Sequence, residues 1–308
     1  MEGILEKRLA LKTPLILSGA MGTELERRGV DIGLPYWSAN ALIFRPEVVQ
    51  QIHVDYIEAG ADIIVTNTFR TNRRVFKSQN MPDRSLELTT KAVELAKAAR
   101  DRFPKRKILI AGCVAPVEDC YKPELVPSET QLQSEHHELV NRLVTLGVDF
   151  LLIETMTTIR EAYVAAEAAK ETGKEFIVSF TCNKDGTLYG GEKLIDAIKA
   201  VAPLQPTMFS LNCISPRYLT DLIHQLKSVP PDSGGISDKA LNNPQFKIRF
   251  AVYGNIGDPD IRDGKIIRDV DEDEYVKFAL EWKQLGASIV GGCCGTTPEY
   301  IRRIAEAL

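Results

Sequence analysis

A single (β/α)8 barrel spanning residues 1–308 is the fold this sequence predicts, and three observations predict it. Eight short runs rich in aliphatic and β-branched residues recur along the chain, with longer amphipathic stretches between them. The runs are almost continuously apolar, as parallel strands covered on both faces must be. One unit also repeats weakly: "EAGADIIVTN", "TLGVDFLLIET" and "QLGASIVGGC" each join a helix end, a glycine, one or two residues and a strand. Strand and helix alternating in this way through one chain make a barrel with an outer ring of helices. An open doubly wound sheet is the competing architecture. Its G-x-G-x-x-G turn after the first strand is missing, because "SGAMGTEL" offers only Gly19 and Gly22.

The expected strands are Leu15–Ser18, Asp62–Thr66, Lys107–Gly112, Asp149–Glu154, Glu175–Thr181, Thr207–Asn212, Lys247–Tyr253 and Ser288–Gly292. Helical patterns lie between them, as in "PEVVQQIHVDYIEAG", "SLELTTKAVELAKAARDRF", "EHHELVNRLVTLG" and "DEYVKFALEWKQLG". Gly60, Gly147 and Gly286 are the expected left-handed residues that stop a helix and let a strand begin at once. No linker splits the chain. Its most loop-like segment, Ser228–Gln245, precedes the seventh strand at the end of a barrel opposite the usual active site, so it is expected as a surface excursion.

Composition narrows the function. A net charge of −4 gives no reason to expect a nucleic-acid partner. No apolar run reaches the ~18 residues of a spanning helix, and the amino-terminal stretch lacks the pattern of a signal peptide. Six cysteines, scattered apart from one adjacent pair, are not a disulfide framework; they point to a reduced, cytoplasmic protein whose clustered thiols serve metal binding or catalysis.

In barrels of this kind the chemistry sits where the strands end. Those ends carry Ser18 and Gly19, Asn67 and Thr68, Cys113, Glu154 and Thr155, Cys182, Asn212 and Cys213, Asn255, and the vicinal pair Cys293 and Cys294. The sixth and eighth strands lie two apart in a closed ring, so Cys213 can face the pair across the mouth. Three thiolates suit zinc, and three ligands leave one position open, which is the catalytic arrangement. An all-sulfur shell activates water poorly and suits a bound thiol, which the metal deprotonates for attack on an electrophilic carbon. Cys113, Cys120 and Cys182 read as small buried apolar residues. His53, His136, His137 and His224 fall inside helical patterns and read as structural. Glu154 closes an apolar strand, where a carboxylate is costly to leave unpaired; a substrate-binding role is favoured over a structural ion pair. Ser18, Gly19, Asn67, Thr68 and Asn255 are the other expected substrate contacts.

The stretches "GGCCGTTPEYIRRI", "LNC", "GAMGTEL", "TNTF" and "IET" resemble the homocysteine S-methyltransferase family over almost the whole chain. The resemblance implies a (β/α)8 barrel with Zn2+ on Cys213, Cys293 and Cys294, and with Glu154 holding the amino-acid part of homocysteine. "PYWSANAL" (Pro35–Leu42) is most similar to the branch that takes its methyl group from S-methylmethionine. No folate or cobalamin module and no betaine site is recognisable. Three departures stand out. Ser18 replaces an aspartate expected to bind the substrate ammonium, "AGCVAP" ends the third strand, and "YGNIG" ends the seventh. The expected partners are therefore a small-molecule thiol and a methyl donor, with no membrane. A sulfonium donor would be held against an aromatic face, for which Tyr36 and Trp37 are the candidates; packing beneath the loop is the competing role for Trp37. Delivery by a separate methyl-corrinoid protein is one alternative, and a non-catalytic zinc or thiol binder is another.

Overall fold

Alternation within each apolar run decides which face a residue takes. The computed structural model describes residues 3–12, 14–228, 249–258 and 266–308. Its strands are β1 (Leu15–Ile16), β2 (Ile63–Val65), β3 (Leu109–Val114), β4 (Phe150–Met156), β5 (Phe176–Phe180), β6 (Met208–Asn212), β7 (Phe250–Gly254) and β8 (Ala287–Gly292). All eight lie in one parallel sheet ordered β1-β8-β7-β6-β5-β4-β3-β2. A parallel bridge from Leu17 to Ile63, with Ser18 N–H donating to the Ile63 carbonyl at 2.8 Å, closes the ring between β1 and β2. The expected barrel and its eight strands are thus present. Within the expected seventh strand, Lys247 and Ile248 lie outside the described residues, as does all of the Ser228–Gln245 segment but Ser228.

Two apolar layers follow from the alternation. Leu15, Leu17, Ile63, Leu109, Phe150, Leu152, Ile177, Met208 and Ile289 fill the barrel interior. Their neighbours Ile16, Ile64, Ile110, Leu151, Ile153, Val178, Val252 and Val290 pack outward against the helices. Gly60, Gly147 and Gly286 take φ of 111°, 75° and 97°, the left-handed values their place at the helix ends requires. Gly291 matters for closure: a Cβ there would lie 2.6 Å from Leu17 Cβ and 2.8 Å from the Leu17 carbonyl oxygen, so a bare Cα lets β8 meet β1.

One element is not apparent from periodicity. Helix Ile4–Leu11 turns Leu5 and Leu9 into the interior layer and plugs the amino end of the barrel. Its first N–H groups have no partners within the helix. Glu175, just before β5, supplies them, accepting from Leu5 N at 2.9 Å and Glu6 N at 3.0 Å. Burying two leucines contributes about 1.5–3 kcal/mol each.

The four histidines lie within helices, as expected. His136 Nε2 contacts the Glu161 carboxylate at 3.1 Å, and His137 lies near Glu171. His53, in helix Pro46–Glu58, is fully buried with no partner for Nε2. Burial alone brings its pKa from 6.5 down to about 4. The folded protein therefore keeps this ring neutral, while the unfolded chain takes up a proton below about pH 6.5. Its effect on stability is constant above pH 6.5, falls as pH drops toward 4, and levels off below that. At ~1.36 kcal/mol per pKa unit the loss is about 3 kcal/mol. Urea unfolding of wild type and His53→Leu should show it: the pH dependence between 6.5 and 4 should be shallower in the variant by about 2–3 kcal/mol, and parallel curves would refute the assignment.

Candidate active site

The strand ends open into a cleft of about 1030 Å³. Its wall includes Ser18, Gly19, Trp37, Asn67, Arg70, Cys113, Cys120, Glu154, Tyr253, Cys213, Cys293 and Cys294. The sulfurs of Cys213, Cys293 and Cys294 lie within 4.8 Å of one another, and Cys213 Sγ is 2.7 Å from Cys293 Sγ. Three half-buried thiols so close cannot all ionise, because like charges in a desolvated site disfavour one another. Hydrogen bonds from Cys213 and Cys293 hold Cys294 well below the ordinary thiol range. Cys213 is pushed well above it by its contacts with Cys293 and Cys294 and by burial. For Cys293 the bond to Cys213 acts downward, but the bond to Cys294 and burial outweigh it. This soft, compact donor set fits a thiophilic metal.

The backbone around these cysteines is held from several sides. Cys293 N donates to Gly254 O at 2.7 Å. The Thr296 hydroxyl donates to Cys293 O at 2.7 Å, and Gly295 N donates to Thr23 Oγ1 at 2.8 Å. Behind them the Tyr275 hydroxyl lies 2.9 Å from the carbonyls of both Gly254 and Gly291, which sets the spacing of β7 and β8. Gly19 is bare because a Cβ would come within 2.8 Å of Thr296 Oγ1 and the Tyr56 ring.

Across the mouth, Asn212 ties two strands together. Its Oδ1 accepts from Thr155 N at 3.0 Å and from Ser179 Oγ at 2.7 Å, and its Nδ2 donates to Thr155 Oγ1 at 2.8 Å. Thr155 and Cys213 both have left-handed backbones, with φ of 62° and 56°. Such values are uncommon for non-glycine residues, strained for a β-branched one, and concentrated at functional sites. At Thr155 the register between β4 and β5 shifts, a bulge that re-aims the strand end. Glu154, just before it, faces the cleft and accepts from Tyr253 Oη at 3.2 Å. Burial pushes Glu154 up to about 7; hydrogen bonds from Cys113 and Tyr253 pull it down, and the charge on Cys293 adds to the rise.

Several expected residues do not reach the cleft. Thr68 is buried, with its hydroxyl donating to Cys113 O at 2.7 Å and lying 2.8 Å from Thr66 Oγ1, so it joins β2 to β3. Asn255 is fully buried away from the cleft wall, and neither of its amide atoms has a partner. Tyr36 stacks on Phe76 at 5.3 Å and belongs to the outer core. Trp37 does face the cleft, and it also packs edge-on to Phe69 at 5.1 Å, so lining and packing coincide. Its indole covers Gly22, where a Cβ would collide at 2.4 Å. Cys120, expected as plain core, is buried but also lines the cleft. Tyr253, Arg70 and the supporting hydrogen bonds of Asn212 were not foreseen. Each depends on a partner, or the lack of one, far away in sequence.

A parallel barrel that collects three thiols and a buried carboxylate at one mouth defines a class of protein with a trithiol centre beside a polar substrate pocket. The comparisons with known proteins narrow that class. The family model for homocysteine S-methyltransferase matches residues 15–308, and the chain belongs to that family. Homocysteine S-methyltransferase 1 of Arabidopsis thaliana is 31% identical, with 99% of each chain aligned. The selenocysteine methyltransferase of Astragalus bisulcatus is 30% identical over 95% of this chain and 92% of its own. The metallated form of the homocysteine methyltransferase MmuM from Escherichia coli superposes with a TM-score of 0.82 at 26% identity, covering 99% of each chain.

Asn212→Ala would leave the Thr155 N–H and the Ser179 hydroxyl without their acceptor in a buried site. Urea denaturation should show a loss of about 2–3 kcal/mol. A loss below ~0.5 kcal/mol, the level of an ordinary surface change, would mean that Asn212 does not hold the strained turn.

Proposed function

We propose that this chain is a zinc-dependent S-methyltransferase, one barrel domain over residues 1–308, that moves a methyl group from a sulfonium donor such as S-methylmethionine to the sulfur of L-homocysteine, giving methionine. The convergence of Cys213, Cys293 and Cys294 beside the buried Glu154 in one cleft carries this reading. The metallated E. coli relative supports a metal there, and the all-sulfur donor set supports zinc. Cys213, Cys293 and Cys294 would hold the zinc, which when bound would favour the thiolate form of an acceptor sulfur at neutral pH, where a free thiol of pKa about 8.5 is mostly protonated.

The residues of the chain supply the rest. Glu154 would receive the substrate ammonium, and a cation beside it favours the ionised carboxylate against the effect of burial. Ser18, Gly19 and Asn67 line the same cleft and are further proposed contacts, while Thr68 and Asn255 would act by shaping the strand ends. The Trp37 face would hold the sulfonium charge. The acceptor thiolate attacks the methyl carbon in line, the carbon–sulfur bond of the sulfonium breaks, and its electron pair stays on the departing thioether. Holding both reactants in one cleft supplies the proximity. Metal-bound thiols must stay reduced, which favours a cytoplasmic setting with small-molecule partners.

Two measurements test this. Metal analysis should find one zinc per chain, lost in Cys213→Ala, Cys293→Ala and Cys294→Ala and kept in Cys120→Ala; full occupancy in Cys294→Ala would overturn the site. Incubated alone with homocysteine and S-methylmethionine, the zinc-loaded protein should form methionine, and Trp37→Ala should raise KM for the donor more than for homocysteine. Methionine formed only after a methyl-corrinoid protein is added would sink the sulfonium reading.

A further inference from the structure

Two cations line the cleft among the described residues. Lys122 pairs with Asp119 at 3.7 Å. Arg70 is 8% exposed, yet none of the ion pairs or hydrogen bonds among the described residues involves its guanidinium. Its charge acts on the Cys120 thiol, and three carboxylates of the cleft wall accept hydrogen bonds from other groups. Asp31 accepts from Gly33 N at 2.9 Å, Asp119 accepts from Tyr121 N at 3.0 Å, and Glu154 accepts from Tyr253. A buried charge without a counter-charge is expensive, and proteins keep one only where something else neutralises it.

The backbone that carries Arg70 is held rigidly. Ser85 Oγ donates to Thr71 O at 2.6 Å, and Thr89 Oγ1 donates to Thr71 Oγ1 at 2.8 Å. Asn72 Oδ1 accepts from Val75 N at 3.1 Å, and Phe69 is packed against Trp37. The backbone on either side of Arg70 is thus anchored, and a guanidinium fork matches a carboxylate with two parallel hydrogen bonds. The cleft of about 1030 Å³ thus carries the three cysteines and Arg70 on one continuous wall.

We propose that Arg70 is the carboxylate anchor of this cleft, a specificity-determining residue that selects a substrate carrying a carboxylate. The inference rests on the methyl-transfer reading for the word substrate, but binding tests it separately from turnover. The carboxylate comes either from the thiol acceptor or from the sulfonium donor. Two probe pairs distinguish these by calorimetry on the zinc-loaded protein: 3-mercaptopropionate against 3-mercaptopropanol, and (2-carboxyethyl)dimethylsulfonium against ethyldimethylsulfonium. In wild type the carboxylate member of one pair should bind about ten- to a hundredfold tighter, the range of a hydrogen bond to a charged group. Arg70→Met should erase that preference and Arg70→Lys should keep part of it. The pair that responds names the source. No preference in either pair, or a preference that survives in Arg70→Met, overturns the anchor. Ligand-free Arg70→Met should melt no lower than wild type, since the charge it removes has no partner; a clear drop would mark a structural arginine and also overturn the proposal. A carboxylate preference that depends on Arg70, in a protein that moves no methyl group, would sink the methyltransferase reading and leave the anchor standing.

Discussion

The Asn212 carboxamide is the interaction on which the mouth of this barrel depends. Parallel strands end in unpaired backbone groups, and a functional turn at a strand end must find partners for them. Asn212 offers an acceptor and a donor from one rigid plane, and Thr155 and Ser179 use both. Holding Thr155 keeps a β-branched residue in a left-handed conformation, and that turn aims Glu154. The next residue along the chain is Cys213, itself left-handed, so the carboxylate side and the sulfur side of the cleft share one anchor.

The cysteines have a different kind of support. Their strand, β8, meets β1 over Gly291, and Tyr275 reaches between β7 and β8 from the helix layer. Position here comes from close packing and from the spacing between strands. The two supports meet at the Cys213–Cys293 contact, which joins the ends of β6 and β8 without a direct strand pairing. An ion bound there would tie together two halves of the mouth that are otherwise organised independently.

The sequence made the architecture legible because parallel strands must be apolar on both faces and helix ends need glycine. Leu15–Ile16 and Phe250–Gly254 are found by the first rule, and Gly60, Gly147 and Gly286 by the second. The cysteines were legible because ring closure brings strand ends six and eight together. Direction within the mouth was not. A strand-end rule gives the level of a residue, not the way it points, so Thr68 and Asn255 were grouped with Asn67 although only Asn67 lines the cleft. Tyr36 and Trp37 are adjacent, and the chain sends them to different layers. Helix Ile4–Leu11 escaped because only Leu5 and Leu9 of its apolar residues are buried while Ile4 and Leu11 are exposed, which blurs the pattern, and its cap lies about 170 residues away at Glu175. Arg70 is recognisable only once the described residues show it buried at the cleft with no ion pair or hydrogen bond to its guanidinium.

The plug under the barrel has a consequence for how such a protein can change. Leu5, Leu9 and Glu175 seal the amino end, and none of them touches the cleft. Part of the cohesion thus lies at the end away from the cleft. Cleft residues such as Ser18, Arg70 and Trp37 lie apart from that foundation, so exchanges of their side chains leave the plug untouched. Asn212 is the exception, one side chain on which both the strand ends and the shape of the mouth depend.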